Sequence, residues 1–382
     1  MRRLLVLVSA IIFVDALLFT ALTPLVPRYA DEFDLSKVGA GLLVGAYGAG
    51  AIFGGIPGGL TAARFGPKRT VVGALLVLAV ASFTFASADT AVALGTARFV
   101  QGIASTATWA GALTWISLET PLERRGTAIG TTFGVAIFGA VLGPVFGGVA
   151  EAVGIGVSFA LVGAVTLLFA VLAGALGTAA RRERVTFDGL SRALTDRRFV
   201  GGLWLNMLPA ILFGVLLVLT PLALDDAGWS ASEIALLFFA AGLVEVVLNP
   251  VLGRVSDRVG RLVPIRTGLA ASAVAATAVG LASTAVVLAA LVCVASISFG
   301  SLYTPSMSLA SHRAEVAGLA QGLAFGVVNT AWALGELIGP TVGGALAQSG
   351  GDAVPYLAGA SLCALTLAAT FRATGRMRPH EA

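Results

Sequence analysis

The chain has 382 residues, 57% of them hydrophobic and only 12% charged, with a formal net charge of +4. A soluble domain is about a quarter charged, so this chain cannot cover a water-facing surface and reads as an integral membrane protein. The positive residues are spread over short loops rather than gathered in one patch, which excludes a nucleic-acid surface.

The chain opens MRRLLVLVSAIIFVDALLFTALTPLVP. This apolar run exceeds the 7–15 residues of a signal-peptide core, and no A-x-A-like cleavage site follows it. It reads as a first membrane helix. A crossing helix needs roughly 20 apolar residues, whereas a barrel strand would alternate over about ten. Long continuous runs predict twelve helical spans, at about 4–26, 38–60, 70–88, 91–117, 127–150, 154–177, 199–224, 231–252, 263–283, 285–309, 317–347 and 353–371. The longest polar interruption, 178–198, divides the chain into an N-terminal six-helix bundle (1–177), a linker loop, and a C-terminal six-helix bundle with a short tail (199–382). The linker stretch FDGLSRALTDRRF has the spacing of a surface helix and also fits an ordinary basic loop.

Of the 24 Lys and Arg residues, all but Arg28, Lys37 and Arg98 fall in loops on one side of this topology. The opposite loops carry Asp31, Glu32, Asp34, Asp225 and Asp226. Positive residues stay inside, so both termini are expected in the cytoplasm. Trp229, beside an outer loop, reads as an interfacial anchor.

The halves repeat. GTTFGVAIFGAVLGPVFGG, from Gly130 to Gly148, and GVVNTAWALGELIGPTVGG, from Gly326 to Gly344, share the pattern G-x8-G-x3-G-P-x2-G-G at an offset of 196 residues. Gly59, Arg64 and Gly66 match Gly253, Arg258 and Gly260 at an offset of 194. A substrate path is expected between two such halves. Gly139, Gly143 and Gly147 recur every four residues and share a helix face, as do Gly335, Gly339 and Gly343. Such a face admits another helix closely, and Pro144 and Pro340 bend their helices. Tight packing explains glycines of this kind; the double occurrence, closed by Gly148 and Gly344, points to a contact between bundles.

Four ionisable residues lie well inside spans: Asp15, Arg98, Glu245 and Glu336. A charge at the bilayer centre costs at least about 2.5–3.5 kcal/mol, so such residues face a cavity or a partner. At 1.5 Å per residue, Asp15 and Glu336 lie about 16 Å and Arg98 about 11 Å from the outer ends of their helices, on one common level. Glu245 lies nearer the cytoplasm. Asp15 reads either as a proton or cation site or as a fixed ion pair with Arg98. Glu336 and Glu245 read either as proton sites or as hydrogen-bond partners of a neighbouring helix. Gln101, Asn206, Asn249, Asn329, Gln321, Trp109, Trp204, Trp332 and Phe325 add polar and aromatic groups within spans, and aromatic faces suit hydrophobic or cationic ligands. Cys293 and Cys363 read as inert thiols, with no disulfide or zinc spacing. No phosphate-binding loop appears, which sets ATP aside. An embedded enzyme lacks its catalytic cluster, and a non-transporting sensor would carry an extra soluble domain.

Gly253, Asp257, Arg258, Gly260 and Arg261 fit the signature G-x-x-x-D-R-x-G-R, and Leu94, Arg98, Gln101 and Gly102 fit L-x-x-x-R-x-x-Q-G. On these motifs the whole chain resembles the major facilitator superfamily. The Gly130–Gly148 pattern is similar to that of its drug/proton antiporter branch. DALLFTALTPLVP and NPVLGRVSDRVGR look like parts of vesicular amine transporters. The resemblance implies an all-α membrane fold, the twelve-helix, two-bundle major facilitator fold, with no cofactor or metal. It implies a monomer in the cell membrane exporting small hydrophobic or cationic molecules in exchange for protons. A transporter of a specific sugar, amino acid or siderophore is the other reading. It further implies that Asp257 and Arg258 form a conformational latch, whose first-half copy (Gly59, Arg64, Gly66, Lys68, Arg69) lacks the acid, having Ala63 there.

Overall fold

The structure, a computed structural model, describes residues 2–176, 189–259, 262–319 and 321–374. Among these, all regular structure is helical. The first span comprises α1 (Arg2–Thr20), a 3-10 turn (Thr23–Leu25) and α2 (Val26–Glu32). It is followed by α3 (Lys37–Phe65), α4 (Pro67–Ala86), α5 (Ala91–Glu119), α6 (Leu122–Val153) and α7 (Ile155–Ala175). A short α8 (Leu190–Thr195) precedes α9 (Arg197–Asp226), α10 (Ala231–Val259), α11 (Leu262–Gly280), α12 (Ala285–Gly300), α13 (Tyr303–Val316), α14 (Gln321–Gly350) and α15 (Ala353–Thr374). With α12 and α13 counted as one span, the expected twelve crossings are present. Nine stretches of the described chain meet the length and hydropathy of a membrane span outright; α5, α10 and α14 supply the other three by length. α1–α7 pack as one bundle and α9–α15 as a second.

Two expected spans are broken rather than continuous. The first ends at Thr20 because Pro24 and Pro27 remove backbone donors just beyond it. The tenth breaks at Ser301–Leu302, between α12 and α13. The latch stretches are also more helical than expected. Gly59 and Arg64 lie inside α3, and the chain turns only at Gly66, whose φ of 91° suits glycine. Gly253, Asp257 and Arg258 lie on the last turns of α10; their side chains, and Gly260 and Arg261 altogether, fall outside the described residues.

Four helices that start at the end carrying the acidic loops, α3, α5, α10 and α12, are capped by hydroxyls. Ser36 Oγ accepts from Gly39 N–H, Thr90 Oγ1 from Ala93 N–H and Thr284 Oγ1 from Val287 N–H. Ser230 and Glu233 exchange bonds in a capping box. Ser36 and Ser230, like Thr90 and Thr284, stand 194 residues apart, so the repeat reaches down to the caps.

The linker's described part belongs with the second bundle. Ala193 packs among Phe199, Ala310 and Ala314. Asp196 N-caps α9 by accepting from Arg198 N–H at 2.9 Å, and receives Arg313 Nε and Nη2 at 2.7 and 2.6 Å. Desolvation opposes the charged carboxylate, but these donors and the Arg313 charge outweigh it and hold Asp196 below the usual carboxylate range. A lowered pKa stabilises the fold above the ordinary carboxylate value, and that contribution disappears as pH falls through the lowered value. Asp196→Ala is expected to cost about 1–2 kcal/mol at neutral pH and to lose its deficit in acid. Thermal unfolding of the purified protein against pH measures both.

Candidate functional site: a buried charge cluster between the bundles

α5 turns Arg98, Gln101, Ser105 and Trp109 onto one face, since these positions recur at three- and four-residue spacing. That face meets α1 at its break. Where α1 stops at Thr20, its last carbonyls lose their helical partners. Arg98 takes two of them. Its Nη1 donates to Leu18 O and Nη2 to Phe19 O, both at 3.1 Å, while Nη1 also donates to Gln101 Oε1 at 3.2 Å. A cation at a helix C-terminus also opposes the macrodipole favourably. The guanidinium lies over the Tyr47 ring, 4.8 Å from its centre.

Asp15, one turn earlier on α1, is held by other groups. Its Oδ2 accepts from Ser105 Oγ at 2.7 Å and Trp109 Nε1 at 2.8 Å. The direct pair between Asp15 and Arg98, one of the two readings the sequence left open, is absent from the ion pairs of the described residues. The cause is visible in the geometry: the α1 carbonyls draw the guanidinium to Leu18 and Phe19, past the Asp15 carboxylate. Arg98 still acts through space on Asp15 and, across the bundle boundary, on Glu336.

Asp15, Arg98 and Glu336 are 2%, 1% and 4% exposed, and they are the fully buried Asp, Glu, Lys or Arg side chains among the described residues. The three residues expected on one level are thus brought together. Glu245 is not part of this cluster: it is half-buried and packs against Gly300 at the α12–α13 junction. Trp332 lies one turn before Glu336 on α14, 5.3 Å from Phe19, which in turn is 5.0 Å from Tyr47. Tyr303 stacks on Phe213 at 6.2 Å. Asn206 donates to Val328 O at 3.2 Å and so ties α9 to α14. Trp204 donates to Thr366 Oγ1 at 3.0 Å. Asn329 is half-buried on α14. The side chains of Asn249, Gln321 and Phe325 lie outside the described residues. Tyr47, Ser105, Phe19 and Tyr303 join the site without having been anticipated. Ser105 was within reach, because it lies seven residues beyond Arg98, on the same face of a 3.6-residue repeat.

The glycine stripes do a different job from the one expected. Side chains at Gly139, Gly143 and Gly147 would strike Phe13, Leu17, Thr20 and Ala21 of the first bundle's own opening span. Gly335, Gly339 and Gly343 likewise face Met207, Ile211 and Val215 of α9. These stripes bind each bundle together. Only the final glycine of each repeat looks across: Gly148 meets Ala235 of α10, and Gly344 meets Lys37 and Val38 of α3. Gly130 and Gly326 face open space. The physical reason is helix crossing. A stripe repeating every four residues follows one partner along its length, and that partner is the adjacent helix of the same bundle.

The closest seam between bundles is α3 on α14. Gly41, Gly45 and Gly48 lie against Pro340, Thr341, Leu337 and the Glu336 backbone. At the acidic end Lys37 Nζ donates to Asp352 Oδ1 at 2.5 Å, and Val38 N–H to Gln348 Oε1 at 3.3 Å. At the basic end, Lys68 Nζ donates to Leu176 O, within the first bundle, and Arg64 lies 5.5 Å over its neighbour Phe65.

The chain is similar to Multidrug resistance protein 2 of Bacillus subtilis, with 23% identity over 90% of this chain and 89% of the relative. It is 28% identical to the probable sulfoacetate transporter SauU of Cupriavidus necator, over 94% of this chain and 90% of that one. Its fold superposes with a TM-score of 0.82, at 16% identity, on a bacterial homologue of the human lysosomal transporter Spinster in an inward-facing, unoccupied conformation, covering 99% of this chain and 98% of that one. The sequence pattern of the Major Facilitator Superfamily matches residues 8–324 and again 212–382. With the twelve crossings, the repeated halves and the buried cluster between them, the chain belongs to the major facilitator superfamily: it is a multi-pass membrane protein and a secondary transporter of small molecules, not an enzyme.

Proposed function

We propose that this transporter exports small hydrophobic or cationic molecules from the cytoplasm in exchange for protons, working as a monomer in the cell membrane. Residues 1–177 and 199–382 rock against each other about the cluster, with 178–198 as the connection. The basic end, with both termini, faces the cytoplasm. The observation that carries the reading is Asp15. It is a buried carboxylate with two donors on one oxygen and, among the described residues, no cation within ion-pairing distance, because Arg98 is engaged by α1 carbonyls. Such a group can take up and release a proton as the bundles move. Similarity to a multidrug resistance protein supports the export of varied molecules.

The test is a proteoliposome with an acidic interior and external ethidium. Wild-type protein is expected to accumulate the dye while protons leave, and Asp15→Asn to lose at least about nine-tenths of the pH-driven rate. Wild-type rates in Asp15→Asn would remove Asp15 from coupling. Movement of dye only together with protons, in one direction, would remove exchange.

A second reading, carriage of one specific metabolite, is favoured by the similarity to a probable sulfoacetate transporter. Sulfoacetate competing with ethidium, or moving in its place, would select it.

A further inference from the structure

The end that carries the acidic loops closes differently at its two seams. At one seam Lys37 of α3 donates to Asp352 of the other bundle. At the other lies a cavity of about 560 Å³, whose wall includes Arg28, Asp31, Glu32 and Glu151 of the first bundle and Asp225 and Ala231 of the second. Glu151 stands on α6 and Ala231 opens α10, so the cavity lies at the α6–α10 seam, where Gly148 meets Ala235. Its wall carries four carboxylates against one guanidinium. Arg28 is turned to Glu32, one turn further along α2, at 3.6 Å. Asp31, Glu151 and Asp225 have no ion pair among the described residues. Asp31 is exposed, whereas Glu151 and Asp225 are half-buried. Across the bundle boundary the Asp31 charge acts on Asp225, as does neighbouring Asp226. The other polar groups around Asp225 are engaged elsewhere. Lys37 and Asp352 hold each other, Ser230 N–H and hydroxyl donate to Glu233, and Tyr356 shares a hydrogen bond with Thr220 of α9. At neutral pH the cavity therefore pushes the bundles apart. Like charges disfavour each other's ionised form, so crowded carboxylates take up protons more readily than isolated ones. Each proton removes part of the repulsion.

We propose that this acidic cavity is a pH-sensitive wedge: ionised, its carboxylates hold α2 and α6 away from α9 and α10, and protonated, they let the seam close. The wedge acts apart from Asp15. It answers the pH of the medium at this rim and carries no transported proton.

Double electron–electron resonance on the full-length protein in lipid nanodiscs tests this without substrate, gradient or transport. Spin labels go on Val153→Cys of α6 and Ala227→Cys at the end of α9, both exposed, after replacement of Cys293 and Cys363. From about pH 7.5 to about pH 5 the ratio of short to long distances should rise by about two- to fivefold. Asp31→Asn with Asp225→Asn should show the short distance already at neutral pH and lose the response. Asp31→Lys puts attraction in place of repulsion and should hold the short distance at both pH values. Asp34→Asn, which removes an acid of the same end outside the cavity wall, should keep the full response, and so should Asp15→Asn. A melting curve confirms that each variant is folded. Asp31 is exposed, so Asp31→Lys alone decides the matter should the double variant not fold. No response in the wild type, or a wild-type response in either rim variant, overturns the wedge. Loss of the response in Asp15→Asn assigns it to the buried carboxylate and overturns the wedge as well. The export reading stands or falls separately, on pH-driven dye movement.

Discussion

Gly102→Ala is expected to destabilise the protein by about 1–3 kcal/mol, and Gly102→Val by more. At this position α5 lies against α3 backbone to backbone. A methyl group there would collide with the Tyr47 carbonyl and come within 2.8 Å of Ala51 N. Gly50 and Gly54 make the reciprocal approach from α3, onto Phe99 and Ile103. No side chain can turn aside to make room, so the helices must separate. Separation would also move Arg98 from the α1 carbonyls and Tyr47 from beneath the guanidinium. Gly95→Ala is the control on the same helix. Nothing lies within 4 Å of its new methyl, and alanine favours helix over glycine by roughly 0.5–1 kcal/mol. Thermal unfolding and the yield of monodisperse protein should fall for Gly102 variants and hold or rise for Gly95→Ala. Equal behaviour of the two would refute the close crossing.

Reversing one charge at the acidic end should open that end. The Lys37–Asp352 pair joins the two bundles, with side chains 34% and 44% exposed. A half-exposed pair contributes up to about 1 kcal/mol, so Lys37→Ala should shift the balance between closed and open by no more than about fivefold. Lys37→Asp replaces attraction with repulsion and should shift it by about tenfold. The double variant Lys37→Asp with Asp352→Lys should return it to wild type, and high salt should flatten all three effects. Thr341, which packs against Gly45 in the closed seam, is the reporter. After replacement of Cys293 and Cys363, the labelling rate of Thr341→Cys by a membrane-impermeant maleimide measures opening. Failure of the double variant to restore protection would show that the pair does not hold the seam.

Much of this architecture was legible because membrane physics is strict. Twelve spans follow from the lengths of the apolar runs, sidedness of charge follows from the loops, and the repeat follows from two matching glycine patterns. Asp15, Arg98 and Glu336 stood out because charge in an apolar helix demands a reason. The breaks were harder. Pro24 and Pro27 mark the end of α1, yet the run remains apolar through Val26, so hydropathy reads one helix where hydrogen bonding makes two. The missing Asp15–Arg98 pair has the same root, since a guanidinium's choice between a carboxylate and freed carbonyls depends on where α1 stops. The direction of the glycine stripes was invisible as well. A stripe declares that some backbone approaches, not which one. Tyr47 and Tyr303 looked like ordinary span aromatics, and only the folded chain places Tyr47 beneath the Arg98 guanidinium and Tyr303 against Phe213.

The two final glycines have a mechanical consequence. Each motif helix spends three glycines gripping its own bundle and one touching the other, so a pivot between halves leaves the grips intact. The seams are unequal, however. The α3–α14 seam is a ladder of several backbone contacts ending in an ion pair, whereas the α6–α10 seam has Gly148 on Ala235 and Gly242 on Val141. A door with one long hinge and one short catch swings about the hinge. A pivot about that hinge would part α6 from α10 before it parts α3 from α14.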